Sequence, residues 1–556
     1  MIKFDAERKF IVTNGNIYTL NTTFPKAEAM AVRGDKIYAL GTTEEIRSLR
    51  RDGYKEIDLG GRTVLPGFID AHCHALSFGM NLKTWLGVFD TASIEDMKAK
   101  VAQRVRHEKS GNWIKGRGWA RGLLERLPTR YDFDEVAPDN PVILVDGPGH
   151  LSILNSKALE AAGIDRTTVF EGRGKIDKDP ITGEPTGILR DVATFKLAFM
   201  KGPQPSADEF VEAAKLICDR AAMMGITSLS EMLTIYPSED EKNVGYTGVG
   251  IRPFVTLNQR GELPIRVRFM IHAYQHWGKP QDHTNLDHLI GLGLSSGVGD
   301  DKLEIGGVKT LCDGSILGNT GALREPYSSD SSSCGILYYN QQQLNELVLK
   351  ANQNDFQMEV HAHGDRAVDL TLEAYEYALN MYPPAKKLRN IITHARILHD
   401  TQIQKIKDLG LTVNGVPGTN GWEPTRFAAE AHNVGDERAK LFSRLRTLVN
   451  EGIIVAAGTD CHPCHTFDPI KIIDRMVHKG NFSYEDPFTL DEAIQMWTTN
   501  AAYITFAEDK KGSLDCGKLA DFIVISHDPY DLPLEDINKI EVEKTFVGGE
   551  MVWNKE

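Results

Sequence analysis

His72 and His74 stand one residue apart in the segment RTVLPGFIDAHCHALSFG, directly after an apolar run from Val64 to Ile69. In an extended chain residues i and i+2 project from the same side, so the two imidazoles are free to share one cation. Other apolar runs carry or end in comparable groups: Lys309 in GGVKTLCDG, His361 after MEV, His394 after IIT and Asp460 after IIVAAGT. Imidazole and carboxylate ligands suit a divalent ion such as zinc, with manganese, iron or cobalt as alternatives. An ion of this kind lowers the pKa of a bound water from about 16 to roughly 7, which is the chemistry of metal-assisted hydrolysis. Each residue alone has an ordinary structural use: a histidine satisfied at a strand end, an inward lysine paired with a carboxylate, an aspartate capping a helix. Their recurrence at the ends of successive runs is harder to explain structurally, and it points to a metal site.

Such residues, far apart in sequence, converge only if a fold brings them to one place. Apolar strand-like runs at 141–147, 225–232, 265–273, 305–314, 357–364, 390–395, 411–417 and 452–460 alternate with helical patterns such as SADEFVEAAKLICDRAAMMG. In TLDEAIQMWTTNAAYIT, Thr489 and Glu492 have capping-box spacing. Alternation over this length predicts a (β/α)8 barrel of the TIM type within residues 67–505, whose active site lies at the C-terminal ends of its strands. The long interval after His74 exceeds what one crossover needs, so an inserted subdomain is expected near 85–205. Residues 9–59 and the C-terminal stretch read instead as short strands with turn signals at Asn14-Gly15, Gly34-Asp35 and Gly548-Gly549. Neither end offers a stable sheet alone, so residues 1–66 and 506–556 are expected to build one composite β-sandwich.

The 556 residues are 41% hydrophobic and 25% charged, an ordinary globular balance, with a formal net charge of −14. Without a long Lys/Arg run, nucleic acid and anionic membrane are not expected partners. No apolar stretch approaches a membrane span, and the N-terminus MIKFDAERKF has no signal-peptide core. Seven scattered cysteines do not form a disulfide framework. Together these predict a cytoplasmic protein acting on a small molecule. The redox-like spacing of Cys461-His-Pro-Cys464 reads as two thiols in a loop, because that motif normally opens a helix in a small βαβ domain.

The segments LPGFIDAHCHAL, GVKTLCDGSILGNTGAL, VHAHGDRAVD, ITHARIL, GDERAKLFSRLRTLVNEGIIVAAGTD and KGSLDCGKLADFIVIS resemble the amidohydrolase superfamily. The fuller set resembles its YtcJ-like, amidohydrolase-3 branch, which includes N-substituted formamide deformylase. The resemblance runs from about residue 10 to 550. It implies His72 and His74 on one ion and His361 and His394 on a second, with Lys309 carboxylated between them. It also implies Asp460 as a metal ligand and as the proton-handling catalytic group. Spacing does not choose between His361 and His363 of HAH; the resemblance favours His361 and leaves His363 facing substrate.

The chain departs from the pattern in DGPGHL, which leaves the register of His150 open, at Ala120, where relatives commonly carry aspartate, and in CHPCH after Asp460, which adds His462 and His465. Arg117, Trp119 and His150 are candidate substrate contacts, with core or surface roles equally open to each. The expected activity is hydrolysis of a non-peptide C–N bond by a metal-activated hydroxide, with one or two ions, zinc first. The alternatives are a deaminase or an ester or lactone hydrolase at the same site, or a binding protein on the same scaffold. A homodimer is the expected assembly on frequency alone.

Overall fold

The computed structural model describes residues 8–555 except 90, 120–123, 148–150, 170–173, 191–197, 199–200, 202–204, 235–249, 274–284, 418–423, 462–466 and 479–483. Eight strands form one sheet whose neighbours all pair in parallel. In chain order they are β1 (Phe68–Cys73), β2 (Ile226–Thr234), β3 (Arg266–His272), β4 (Leu303–Leu311), β5 (Met358–Ala362), β6 (Ile391–His394), β7 (Thr412–Asn414) and β8 (Val455–Ala456). β1, β3, β5, β6, β7 and β8 are buried along their whole lengths, as expected of a sheet covered on both faces.

The sheet closes on itself. The Ala71 amide donates to the Ala457 carbonyl at 3.1 Å and the Asp460 amide to the His72 carbonyl at 2.7 Å, so the segment after β8 lies against β1. The Asn414 side-chain amide adds a bond to the Ala71 carbonyl at 2.9 Å. The result is the predicted barrel.

Helices cover it in the expected way. Ala207–Met223 opens with a capping box between Ser206 and Glu209 and buries Phe210, Val211, Ala214, Ile217, Cys218 and Ala221 along one stripe. Gln341–Gln353 and Asp365–Met381 follow β4 and β5, and Asp400–Leu409 follows β6. Among the described residues no helix is long and apolar enough to cross a membrane.

Both chain ends contribute to a pair of sheets beside the barrel. One has the strand order Glu550–Asn554, Val542–Val547, Phe522–Ile525, Thr63–Pro66, Asn16–Tyr18, Lys26–Ala27. The other runs Lys36–Gly41, Ala29–Arg33, Lys9–Thr13, Lys55–Asp58. Phe10, Val12, Met30, Val64, Phe522 and Phe546 fill the space between them. Arg266, at the start of β3, fastens the pair to the barrel by a two-pronged bond to buried Asp521, at 2.7 and 2.9 Å.

A third sheet lies in the chain between β1 and β2, with the order Lys175–Lys178, Pro185–Arg190, Leu151–Leu154, Val142–Asp146, Ile114–Trp119, Leu86–Gly87. It has its own apolar clusters. The run at 141–147 thus belongs to this inserted sheet and not to the barrel. A run that is apolar on both faces reads alike in either setting.

Candidate metal centre

Four barrel strands end in, or just before, the residues with ligand chemistry, and strand register brings those residues together. Lys309 on β4 lies opposite Glu359 on β5, His361 on β5 opposite Thr393 on β6, and Ala362 opposite His394. At the seam, Gly458 permits the approach of β1. A Cβ there would stand 2.7 Å from the His72 amide nitrogen and 2.8 Å from its Cβ. His394 (φ 67°) and Asp460 (φ 48°) are both left-handed. That conformation costs about 1–3 kcal/mol for such residues and is typically retained at functional sites.

Two groups of ligand-capable atoms result, each with its members' atoms within 4.8 Å of one another. The first is His72, His74 and Asp460. Asp460 Oδ1 lies 3.1 Å from His74 Nε2 and 3.5 Å from His72 Nε2. The second is His361, His363 and His394, whose rings pack with centroids 4.5–4.6 Å apart. The His72 and His394 rings, 5.6 Å apart, join the two groups. His361 and His363 therefore stand equally near His394, and each could supply one ring nitrogen to that group, although His361 Nε2 also lies 3.0 Å from the Gly314 carbonyl.

Below the ligands lies a carboxylate that sequence reasoning missed. Glu359 is fully buried, and its Oε1 receives His72 Nδ1 at 2.8 Å, Lys309 Nζ at 3.4 Å and the Thr393 hydroxyl. Burial would raise its pKa, but Lys309 and His72 outweigh that and hold it at about 2. The signal was present in MEVH: a glutamate two residues before a site histidine shares its face, and a charge on that face needs a partner. Asp313, the other carboxylate within reach in sequence, is occupied otherwise. It accepts the backbone N–H groups of His363, Gly364 and Ala322 at 2.7–2.9 Å and so fixes the turn after β5.

Two more buried acids hold the frame. Asp70 accepts from the amides of His72 and Thr459 and from the Thr459 hydroxyl, tying β1 to the loop after β8; burial lifts its pKa to about 6. Glu231 on β2, lifted to about 8 by burial, receives the amides of Leu76 and Ala75 and so caps the helix that begins directly after His74.

Burial also pushes the basicity of His74 down. His394 falls well below the ordinary histidine value, through burial first and then through its neighbours His363 and His361. Imidazoles that resist protonation keep a lone pair for a cation. His394 Nδ1 is moreover buried without a hydrogen-bond partner. A buried, nitrogen-rich pocket with the Asp460 carboxylate beside His72 and His74 fits a divalent ion of the zinc type. Lys309, also depressed by burial against the pull of Glu359, stands between His74 and His361 in chain order, with its Nζ 3.4 Å from Glu359 Oε1.

The remaining candidates are placed differently. Trp119 sits in the core of the inserted sheet with Val88, Met97 and Leu144, and its indole N–H donates to the Leu144 carbonyl at 3.1 Å. Arg117, on the same strand and also buried, donates to the Gly147 carbonyl at 3.2 Å. His150, Ala120, His462, Cys464 and His465 lie outside the described residues. Cys461 is buried, and its thiol is hydrogen-bonded to that of Cys73 across the seam.

Residues 55–553 match the model of the amidohydrolase family described as Amidohydro_3. YtcJ of Bacillus subtilis is 28% identical over 98% of this chain and 100% of its own length. The N-substituted formamide deformylase of Arthrobacter pascens is 27% identical over 98% of each chain. Among solved structures, an uncharacterized metal-dependent hydrolase from Pyrococcus furiosus superposes with a TM-score of 0.71 at 26% identity, covering 94% of this chain and 99% of that one.

Proposed function

This chain belongs to the amidohydrolase family, and from that premise we propose that it hydrolyses a non-peptide C–N bond in a small acyl-nitrogen substrate, an amide or formamide. The observation that carries the reading is the pair of adjoining ligand groups, His72, His74 and Asp460 beside His361, His363 and His394. The likeness over full length to a formamide deformylase directs it to C–N bonds.

In this reading the six residues would hold one or two divalent ions, zinc first and manganese, iron or cobalt by availability. When bound, such an ion supplies Lewis-acid activation of water and of the substrate carbonyl. The chain supplies the rest. Asp460 Oδ1, at the rim of both His72 and His74, takes the proton from the attacking water and returns it to the departing nitrogen. An amide nitrogen leaves poorly until protonated, so this transfer matters more here than it would for an ester. Depressed basicity in His74 and His394 keeps them as ligands and out of the proton traffic.

The test is a panel of N-substituted formamides, amides, carbamates, esters, lactones and ring amines, scored separately for amine, acid and ammonia. Amine and acid should be released from acyl-nitrogen substrates, with loss on chelation, return on adding zinc, and loss in Asp460→Asn. Turnover confined to esters or lactones, or ammonia release from rings, would assign the site to another reaction. No bound metal in protein purified without chelator would count against an enzyme altogether.

A further inference from the structure

Outside the ligand groups, a polar atom held by several partners beside the site is Glu359 Oε1. It sits in a fully buried side chain and faces three donors from three other barrel strands: His72 Nδ1 on β1 at 2.8 Å, Lys309 Nζ on β4 at 3.4 Å and the Thr393 hydroxyl on β6. A carboxylate oxygen carries no hydrogen to give, so Oε1 is an acceptor in this arrangement. His72 Nδ1 must then carry the hydrogen, which leaves the lone pair on Nε2, the atom that faces Asp460 at 3.5 Å.

From this geometry we infer that Glu359 is a positioning residue for the metal: it fixes the ring and tautomer of His72 so that Nε2 is presented to the cation shared with His74 and Asp460. Carboxylates behind metal-bound histidines do this in general, and their removal weakens metal binding about 10- to 100-fold. Glu359 also lies two residues before His361, and its partner Thr393 lies one before His394. The same oxygen therefore sets His72 relative to the strands that carry the second group. The inference rests on the metal reading above, and its test separates the two.

The test is a double-mutant cycle on zinc affinity, read by competition with a chromophoric chelator, using the full chain in the wild-type, His72→Ala, Glu359→Met and doubly substituted forms. Methionine keeps the volume of glutamate and removes the acceptor. If Glu359 acts through His72, Glu359→Met lowers zinc affinity about 10- to 100-fold in the wild-type background and has no further effect once His72 is alanine. Zinc affinity of Glu359→Met within twofold of wild type overturns the inference. So does a loss that persists in full in the His72→Ala background, which would mark a general packing role. Should circular dichroism show Glu359→Met unfolded, Glu359→Gln runs the same cycle with an expected loss of about tenfold, and no loss, or a loss independent of His72, overturns the inference. Unchanged zinc affinity in His72→Ala alone would instead sink the metal reading of that group.

Discussion

Gly458→Ala is a single added methyl group aimed at the seam of the barrel. Backbone conformation is not the obstacle there, because Gly458 is absent from the left-handed positions. The obstacle is space: the new Cβ would meet the His72 amide nitrogen at 2.7 Å, its Cβ at 2.8 Å and its carbonyl oxygen at 2.9 Å. Ordinary heavy-atom contacts begin near 3.5 Å, so β1 and the loop after β8 must separate by about 0.8 Å. Two of the three atoms are backbone, so no rotamer change relieves the clash. The same step stretches the Asp460–His72 backbone bond of 2.7 Å, and metal ligands tolerate displacements of only about 0.2 Å. Overpacking of this kind costs about 1–3 kcal/mol in stability, while a misplacement near 1 Å costs catalysis about 100-fold. The expected protein is therefore folded but impaired: kcat/KM down by about two orders of magnitude and zinc affinity reduced, with modest loss in denaturant unfolding. Zinc affinity and kcat/KM both within twofold of the parent would show that the seam yields freely and that its closeness does not set the site.

Two further perturbations act on the frame and leave the ligands themselves in place. Arg266→Ala strands the buried carboxylate of Asp521 and should lower the unfolding free energy by about 3–5 kcal/mol while leaving zinc affinity unchanged, since Arg266 opens β3 at the end away from the site; a loss below about 1 kcal/mol in urea unfolding would contradict the clamp role. Glu231, raised by burial from 4.5 to about 8 in the folded chain, binds more protons folded than unfolded between those values. Its contribution is fully present below pH 4.5 and is lost as pH rises through about 8. Glu231→Gln should flatten the decline of stability with pH across that window, as urea midpoints from pH 5 to 8.5 would reveal, and an unaltered slope would exclude Glu231 as its source.

Local signals in this chain were read with little loss, and non-local ones with more. Thr489 caps its helix with Glu492 as their spacing predicts. Gly548-Gly549 makes the turn between Val542–Val547 and Glu550–Asn554 with both residues at positive φ, as two glycines between strands allow. Each of these is decided within a few residues. The run at 141–147 shows the limit: its apolar pattern is that of a buried strand, and nothing in it says which sheet will bury it. Glu359 shows a second. Its i, i+2 relation to His361 marks its face, but its value lies in reaching His72, Lys309 and Thr393, residues that only the closed barrel assembles. The choice between His361 and His363 met a third limit, because a turn after β5 held by Asp313 lets both rings return to His394.

The closure of the barrel has a consequence for how the protein is made. β1 emerges early in synthesis, and the segment that completes its outer edge, around Ala457 and Asp460, emerges only after nearly the whole barrel. Thr63–Pro66, just before β1, waits in the same way for Phe522–Ile525. Two adjacent strands near the start of the chain thus depend on partners near its end, the kind of long-range pairing that slows folding and leaves unpaired edges open to wrong partners. While those edges are open, His72 and His74 have no Asp460, and the first ligand group does not exist. The closure of the barrel seam and the completion of the first ligand group are one event, so a nascent or truncated form ending before residue 460 carries His72 and His74 without the third member of that centre.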